Sequence, residues 1–312
     1  MRSSLLLASA VSAAALLPWS SSAQPDRDRD RGGQAQGVES RIDSTFTFSR
    51  TGVVDLTQIS GDVVVTAWER GEARVRAFTE RGRLRASLTS SRITLEVESN
   101  RGRIGDTRFE VSVPVGVRVI ARSTSGDVTV RGTKGAVEAR STSGDVVVTD
   151  ATDRVVLESV SGDVRASALA GVVRGESVSG TIELHDVTGE VRAETTSGDV
   201  SLTGVTSRNV VATTVSGEVE YDGNIDASGR YEFHAHSGDI RLEIPEGASA
   251  QFTVETFSGS LDSEFPVTLP PGQRTTGRPR RFEFTLGGGG ARVTAESFSG
   301  DIIIARRARS RR

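Results

Sequence analysis

The tripeptide Ser125-Gly126-Asp127 returns as Ser143-Gly144-Asp145, Ser161-Gly162-Asp163, Ser179-Gly180-Thr181 and Ser197-Gly198-Asp199, each copy eighteen residues after the last. A fixed period near 20 residues marks a solenoid, because one such unit cannot bury its apolar side alone and must stack on its neighbours. A second rhythm lies halfway between. Gly135, Gly171 and Gly189 follow Gly126, Gly162 and Gly180 by nine residues, with Asp153 standing in for Gly once. The unit therefore holds two strands and two turns.

Alternation identifies the strands. Val137, Ala139 and Ser141 fall on one side and Glu138, Arg140 and Thr142 on the other, which is the period of two of an extended chain. After each corner the alternation resumes as Val146/Val148, Val164/Ala166, Ile182/Leu184 and Val200/Leu202, with no helical spacing in the stretch. The pattern predicts an all-β fold: a single-stranded β-solenoid, or β-helix, with two strands per coil of 18 to 21 residues. Stacking at ~4.8 Å per coil would set equivalent residues in columns. Glycine is expected at the corner for a positive φ, and Asp is expected to close its own turn. The Ser column (Ser125, Ser143, Ser161, Ser179, Ser197) is expected to share the inward face with Ser123, Ser141, Ser159, Ser177 and Thr195, each hydroxyl donating to the next.

The same corner occurs on either side of the regular copies. Ser60-Gly61-Asp62 precedes Trp68 in an early coil, and Ser216-Gly217-Glu218, Ser237-Gly238-Asp239, Ser258-Gly259-Ser260 and Ser299-Gly300-Asp301 follow at wider spacings. Pro266, Pro270, Pro271 and Pro279 mark an excursion before Phe282 to Phe284 rejoins the sheet, and Arg292 to Ile304 reads as the last coil. The column of Thr142 and Val160 becomes His236, Phe257 and Phe298. Trp68, Phe78 and Phe109 point to a cap over the open N-terminal end.

The ends differ from the body. Arg2, the apolar run Leu5 to Leu17 and the small-residue site Ser21-Ser22-Ala23 predict a secretory leader over residues 1–23. Residues 24–41, with their Asp-Arg alternation, read as a disordered linker. The solenoid is expected over 42–305, with irregular coils and the cap at 42–120, regular repeats at 121–220 and longer-looped coils at 221–305. Arg306, Arg307, Arg309, Arg311 and Arg312 form a basic tail over 306–312.

The net charge is −3; it falls to −4 without Arg2 and to −9 when the five tail arginines are also set aside, so the body is acidic. With 5% aromatic residues the chain lacks the stacking platforms of a single-stranded nucleic-acid groove. There is no cysteine for disulfides or lipidation, and no further apolar run near 20 residues to serve as a transmembrane anchor.

A leader, an early Ser60-Gly61-Asp62-Val63 coil ending in Trp68 and nine later Ser-Gly corners resemble DUF4097, the adhesin-like or toastrack β-solenoids of bacterial envelopes. The likeness spans about residues 42 to 305. It implies roles in adhesion or envelope stress sensing and supplies no catalytic motif.

The corner acids Asp127, Asp145, Asp163, Asp199, Glu218, Asp239 and Asp301 could bridge divalent cations, but the row is interrupted and lacks a calcium-loop pattern, so turn chemistry is the reading. Arg74, Arg76, Arg83 and Arg85 could share the outer face of one strand pair, and with the tail arginines could hold anions. His234 and His236 face one side, but no third metal ligand is evident. Each corner has a single Asp, so no catalytic, cofactor or metal residue is assigned. The expectation is an exported, non-catalytic binding or scaffold module whose partners are anionic envelope polymers or another envelope protein. The alternative is a carbohydrate-active β-helix enzyme.

Overall fold

The computed structural model describes residues 40–98, 105–267 and 280–307. The leader, most of the linker, the prolines from Pro270 to Pro279, and Arg309, Arg311 and Arg312 lie outside the described residues. The rest is strand and turn. At the N-terminal end are β1 (Ser40–Thr47), β2 (Val53–Trp68), β3 (Glu72–Thr79), β4 (Arg83–Leu88), β5 (Arg92–Glu98) and β6 (Thr107–Pro114). The middle holds β7 (Arg118–Ser125), β8 (Val128–Arg131), β9 (Val137–Ser143), β10 (Val146–Ser161), β11 (Val164–Ser179), β12 (Ile182–Ser197), β13 (Val200–Val205), β14 (Asn209–Ser216), β15 (Val219–Gly223), β16 (Arg230–Ser237) and β17 (Ile240–Ile244). The chain closes with β18 (Ala250–Thr256), β19 (Leu261–Ser263), β20 (Arg280–Leu286), β21 (Ala291–Ser299) and β22 (Ile302–Arg306).

These strands build two walls. One wall collects the segments that run into the Ser-Gly corner, in the order β4, β5, the first half of β2, β7, β9, β10, β11, β12, β14, β16, β21, β18, β20. The other collects the segments that leave it: β1, β3, β6, the second half of β2, β8, β10, β11, β12, β13, β15, β17, β22, β19. Pairing from coil to coil is parallel, so Val146, Val164, Ile182 and Val200 stack in register. All four are fully buried between the walls, and burial of each such side chain stabilises by about 1.5–3 kcal/mol. In the longer coils Tyr221, Tyr231, Phe233 and Phe252 fill the same interior.

The ends depart from the sequence expectation in one respect. The coil from Arg292 to Ile304 is last in the chain but not in space: β21 lies between β16 and β18, and β22 between β17 and β19. Antiparallel strands finish both walls at the N-terminal end and the first wall at the other end, where the second wall finishes in the parallel strand β19. β1, β3 and β6 cover the N-terminal end beside the β4–β5 pair, with Phe109 buried and Trp68 and Phe78 half-buried, and β20 pairs antiparallel with β18 at the other end.

Candidate binding groove

The last residues before each Ser-Gly corner shape a long concave feature of the surface. Thr142, Val160, Val178 and Thr196 project from one side of their strands. Two residues earlier Arg140, Glu158, Glu176 and Glu194 project beside them, while Ser141, Ser159, Ser177 and Thr195 between them turn inward. The result is a groove of about 550 Å³ running along the stack from Arg122 to Thr196. Thr213 to Val215, one coil on, begin a second segment of about 430 Å³ that ends at Glu255 and Phe257. The two abut through the Thr195–Thr214 register pair. Nine strands floor them, so eight steps of ~4.8 Å give a length of about 38 Å.

One edge of the groove is apolar and open. Val160, Val178 and Val215 are 44%, 47% and 44% exposed. The edge ends in a stack of rings: His236 on Phe298 at 4.9 Å and 11°, and Phe298 on Phe257 at 4.8 Å and 4°. That stack follows the spatial order of β16, β21 and β18, not the chain order. The opposite edge is charged but compensated. Arg140 pairs with Glu158 at 2.9 Å, Arg122 with Glu138 at 3.0 Å, Arg174 with Glu176, Arg192 with Glu194, and His234 Nδ1 sits 3.3 Å from Glu296.

Beneath the groove the inward hydroxyls are used in a way the sequence did not predict. Ser141, Ser159, Ser177 and Thr195 donate to the carbonyls of Gly126, Gly144, Gly162 and Gly180 in the preceding coil, at 3.0, 3.0, 3.2 and 3.1 Å. They do not donate to one another. Ser123 begins the series unpaired, because Gln58 Nε2 already donates to the Gly61 carbonyl. The corner serines are also corrected: Ser125, Ser143, Ser161, Ser179 and Ser197 are exposed, because the chain bends outward before the glycine and lifts them from the inward face.

The acidic row likewise bonds between coils rather than within its own turn. Asp127 Oδ1 accepts the Asp145 N–H at 2.9 Å, Asp145 that of Asp163 at 2.9 Å, and Asp163 that of Thr181 at 2.9 Å. Asp199 accepts from Glu218, Asp239 from Asp301, and Asp301 from Ser260. Arg165 bridges Asp145, Asp163 and Glu183 across this row. Among the described residues no group of three His, Asp or Glu side chains could hold a metal ion.

Glu218 is the strained member of the row. Partial burial, with Glu220, Asp239 and Asp199 nearby, raises its carboxyl above the usual glutamate range. A native pKa above the unfolded one contributes stability that is fully present below the unfolded value near 4.3 and is lost as pH rises through the native one. Glu218→Gln is therefore expected to raise the melting temperature at pH 7, by roughly 1–2 °C given solvent screening, and to have no effect below pH 4. Thermal melts at the two pH values measure the difference.

The arginines expected to act together do not meet. β3 and β4 are not paired with each other: β3 lies between β1 and β6, while β4 pairs with β5. Arg74 and Arg76 both face Asp43, Arg76 also reaches Glu110, and Arg85 pairs with Glu98. The beginning of the tail is likewise tied down. Arg306 bonds Glu246 and covers the Phe265 ring, and Arg307 pairs with Asp222 at 2.6 Å and reaches Asn224. Apart from Arg85–Glu98 within the β4–β5 pair, these contacts join residues that are distant in the chain.

Fold and site together define a two-walled β-solenoid with an axial surface groove. The model of the Toastrack DUF4097 family matches residues 105–191 and 170–305, and the chain belongs to that family. Three solved structures are similar in part. A "putative adhesin" from Parabacteroides distasonis is 8% identical with a TM-score of 0.44, over 86% of this chain and 97% of that one. A "putative adhesin" from Bacteroides fragilis is 11% identical at 0.41, over 85% and 97%. A "putative cell adhesion protein" from Clostridium sporogenes is 7% identical at 0.26, over 86% and 100%. No curated protein matched the chain.

Proposed function

We propose that this chain is an exported, non-catalytic, adhesin-like module of the cell envelope that holds its partner along the axial groove. The observation that carries the reading is the form of the groove's charged edge. Glu158, Glu176 and Glu194 follow one another on successive coils of one wall, and each is held in an arginine pair. Glycoside cleavage needs two carboxyls flanking one bond, with one of them kept protonated. A row of ion-paired carboxylates on a single edge supports retention of a ligand instead.

The export part of the reading rests on the leader pattern of residues 1–23. Fractionation followed by N-terminal sequencing is expected to find the mature chain outside the cytoplasm, beginning at Gln24. An uncleaved cytoplasmic chain would end the proposal.

Attachment to anionic envelope polymers falls to Arg309, Arg311 and Arg312, since Arg306 and Arg307 are occupied by Glu246, Asp222 and Asn224. Such exposed Coulombic contact weakens as added salt shortens the screening length from ~10 Å at 0.1 M to ~3 Å at 1 M. A chain ending at Arg307 should sediment several-fold less with purified envelopes at 0.1 M salt, and the full chain should be released at 1 M. Equal retention of both chains would transfer the attachment to another envelope protein.

A further inference from the structure

We infer that the axial groove is a binding site for an extended, neutral, β-1,4-linked polysaccharide whose chain lies along the solenoid axis. The inference rests on the adhesin-like reading and gives its ligand a chemical class. The first ground is period. The groove repeats one outer residue pair per coil, Glu158 with Val160, Glu176 with Val178 and Glu194 with Thr196, in parallel register at ~4.8 Å. A ligand that meets several coils alike must be straight and must itself repeat near that spacing. A β-1,4-linked glycan is extended and advances about one sugar ring per strand spacing. A peptide strand would add through free backbone groups at a sheet edge, whereas these amides are already bonded to neighbouring coils.

The second ground is charge. Arg140–Glu158, Arg174–Glu176 and Arg192–Glu194 are internal pairs, so the groove edge is compensated and a strongly charged polymer would have to break them or lie against the carboxylates. Each pair holds a planar acceptor beside a planar donor fork, which is the geometry that neighbouring sugar hydroxyls bond. The facing edge supplies what the carbon face of a sugar ring needs. Its methyl groups, on Val160, Val178 and Val215, are roughly half exposed, and the column continues into the stacked rings of His236, Phe298 and Phe257.

Calorimetry on the purified mature chain tests this, with cellohexaose and chitohexaose as probes. Their disaccharides, maltohexaose and an oligogalacturonate hexamer serve as comparators. At least one β-1,4-linked hexaose is expected to bind at least tenfold tighter than its disaccharide, with the same affinity at 0.1 and 1 M salt. Val178→Arg, at an exposed position, should weaken that binding at least tenfold while leaving the melting temperature unchanged, and Glu176→Gln should weaken it several-fold. Absence of binding by both hexaoses at millimolar concentration, equal binding of maltohexaose, or tighter binding of the anionic hexamer overturns the inference. So does a concentration-dependent dimer that Val178→Arg dissociates, since a second copy would then occupy the groove. Export and envelope retention without hexaose binding would leave the adhesin-like reading standing and remove only this one.

Discussion

Replacing Gly162 by valine is expected to destabilise the protein by about 3 kcal/mol or more, while Asp163→Asn costs about 1 kcal/mol. A Cβ at Gly162 would lie 2.2 Å from the carbonyl oxygen and 2.6 Å from the carbonyl carbon of Gly144. Both are backbone atoms of the preceding coil and cannot turn aside as a side chain can. The obstacle is close approach rather than turn conformation, because Gly162 does not hold a left-handed φ. Relief would require parting the coils, which breaks the flanking parallel ladders and the Ser159 bond to the Gly144 carbonyl. Asp163→Asn keeps an amide oxygen for the Thr181 N–H and loses only the charge facing Arg165, which retains Asp145 and Glu183. Urea midpoints of the two variants decide the matter, and equal midpoints would refute the close-approach account.

Ending the chain at Gly290 is expected to release β18, β19 and β20 from the fold. β18 bonds only to β20 and β21, and β19 only to β22 among the described strands, so removing β21 and β22 leaves no neighbour that ties them to β16 and β17. A simple stack would lose one coil; this one should lose two. Limited proteolysis with mass spectrometry should find new cleavage within 250–263 and 280–286 in the truncated chain and none at those residues in the full one. Continued protection of those residues would mean that β18 can dock on β16 directly.

Much of the architecture was legible because the local code is strong. The eighteen-residue period, the alternation around Val137 to Thr142 and the glycine corners each report a backbone state that neighbours in sequence dictate. What was not legible came from contacts between coils. The direction of the Ser141 and Asp127 bonds is set by the distance to the next coil, and a sequence read along the chain offers two partners for each. A second corner column, Gly132, Asp150, Ala168, Asp186 and Gly204, holds positive φ between 52° and 72° throughout. Three of its members are not glycine, so no glycine pattern marks it, and stacking holds even Ala168 in a conformation that costs a free chain about 1–2 kcal/mol. Of the groove, the column through Thr142, Val160, His236 and Phe298 could be read. The ion-paired edge beside it could not, since Arg174 and Glu176 look like any solvated strand face.

The capped ends bear on what happens when many copies crowd together. A β-stack that finished in a bare parallel coil would offer the next molecule a template, and head-to-tail addition would grow a fibre without limit. Here the wall that carries the groove ends in β4 at one pole and β20 at the other. β4 presents Arg83 and Arg85, the latter paired with Glu98, and β20 presents Arg280 and Arg281, the latter paired with Glu283 and Glu255. Bringing those poles together sets two arginine-bearing edges against each other. Antiparallel end strands that carry arginines thus weigh against head-to-tail addition along the wall that holds the groove.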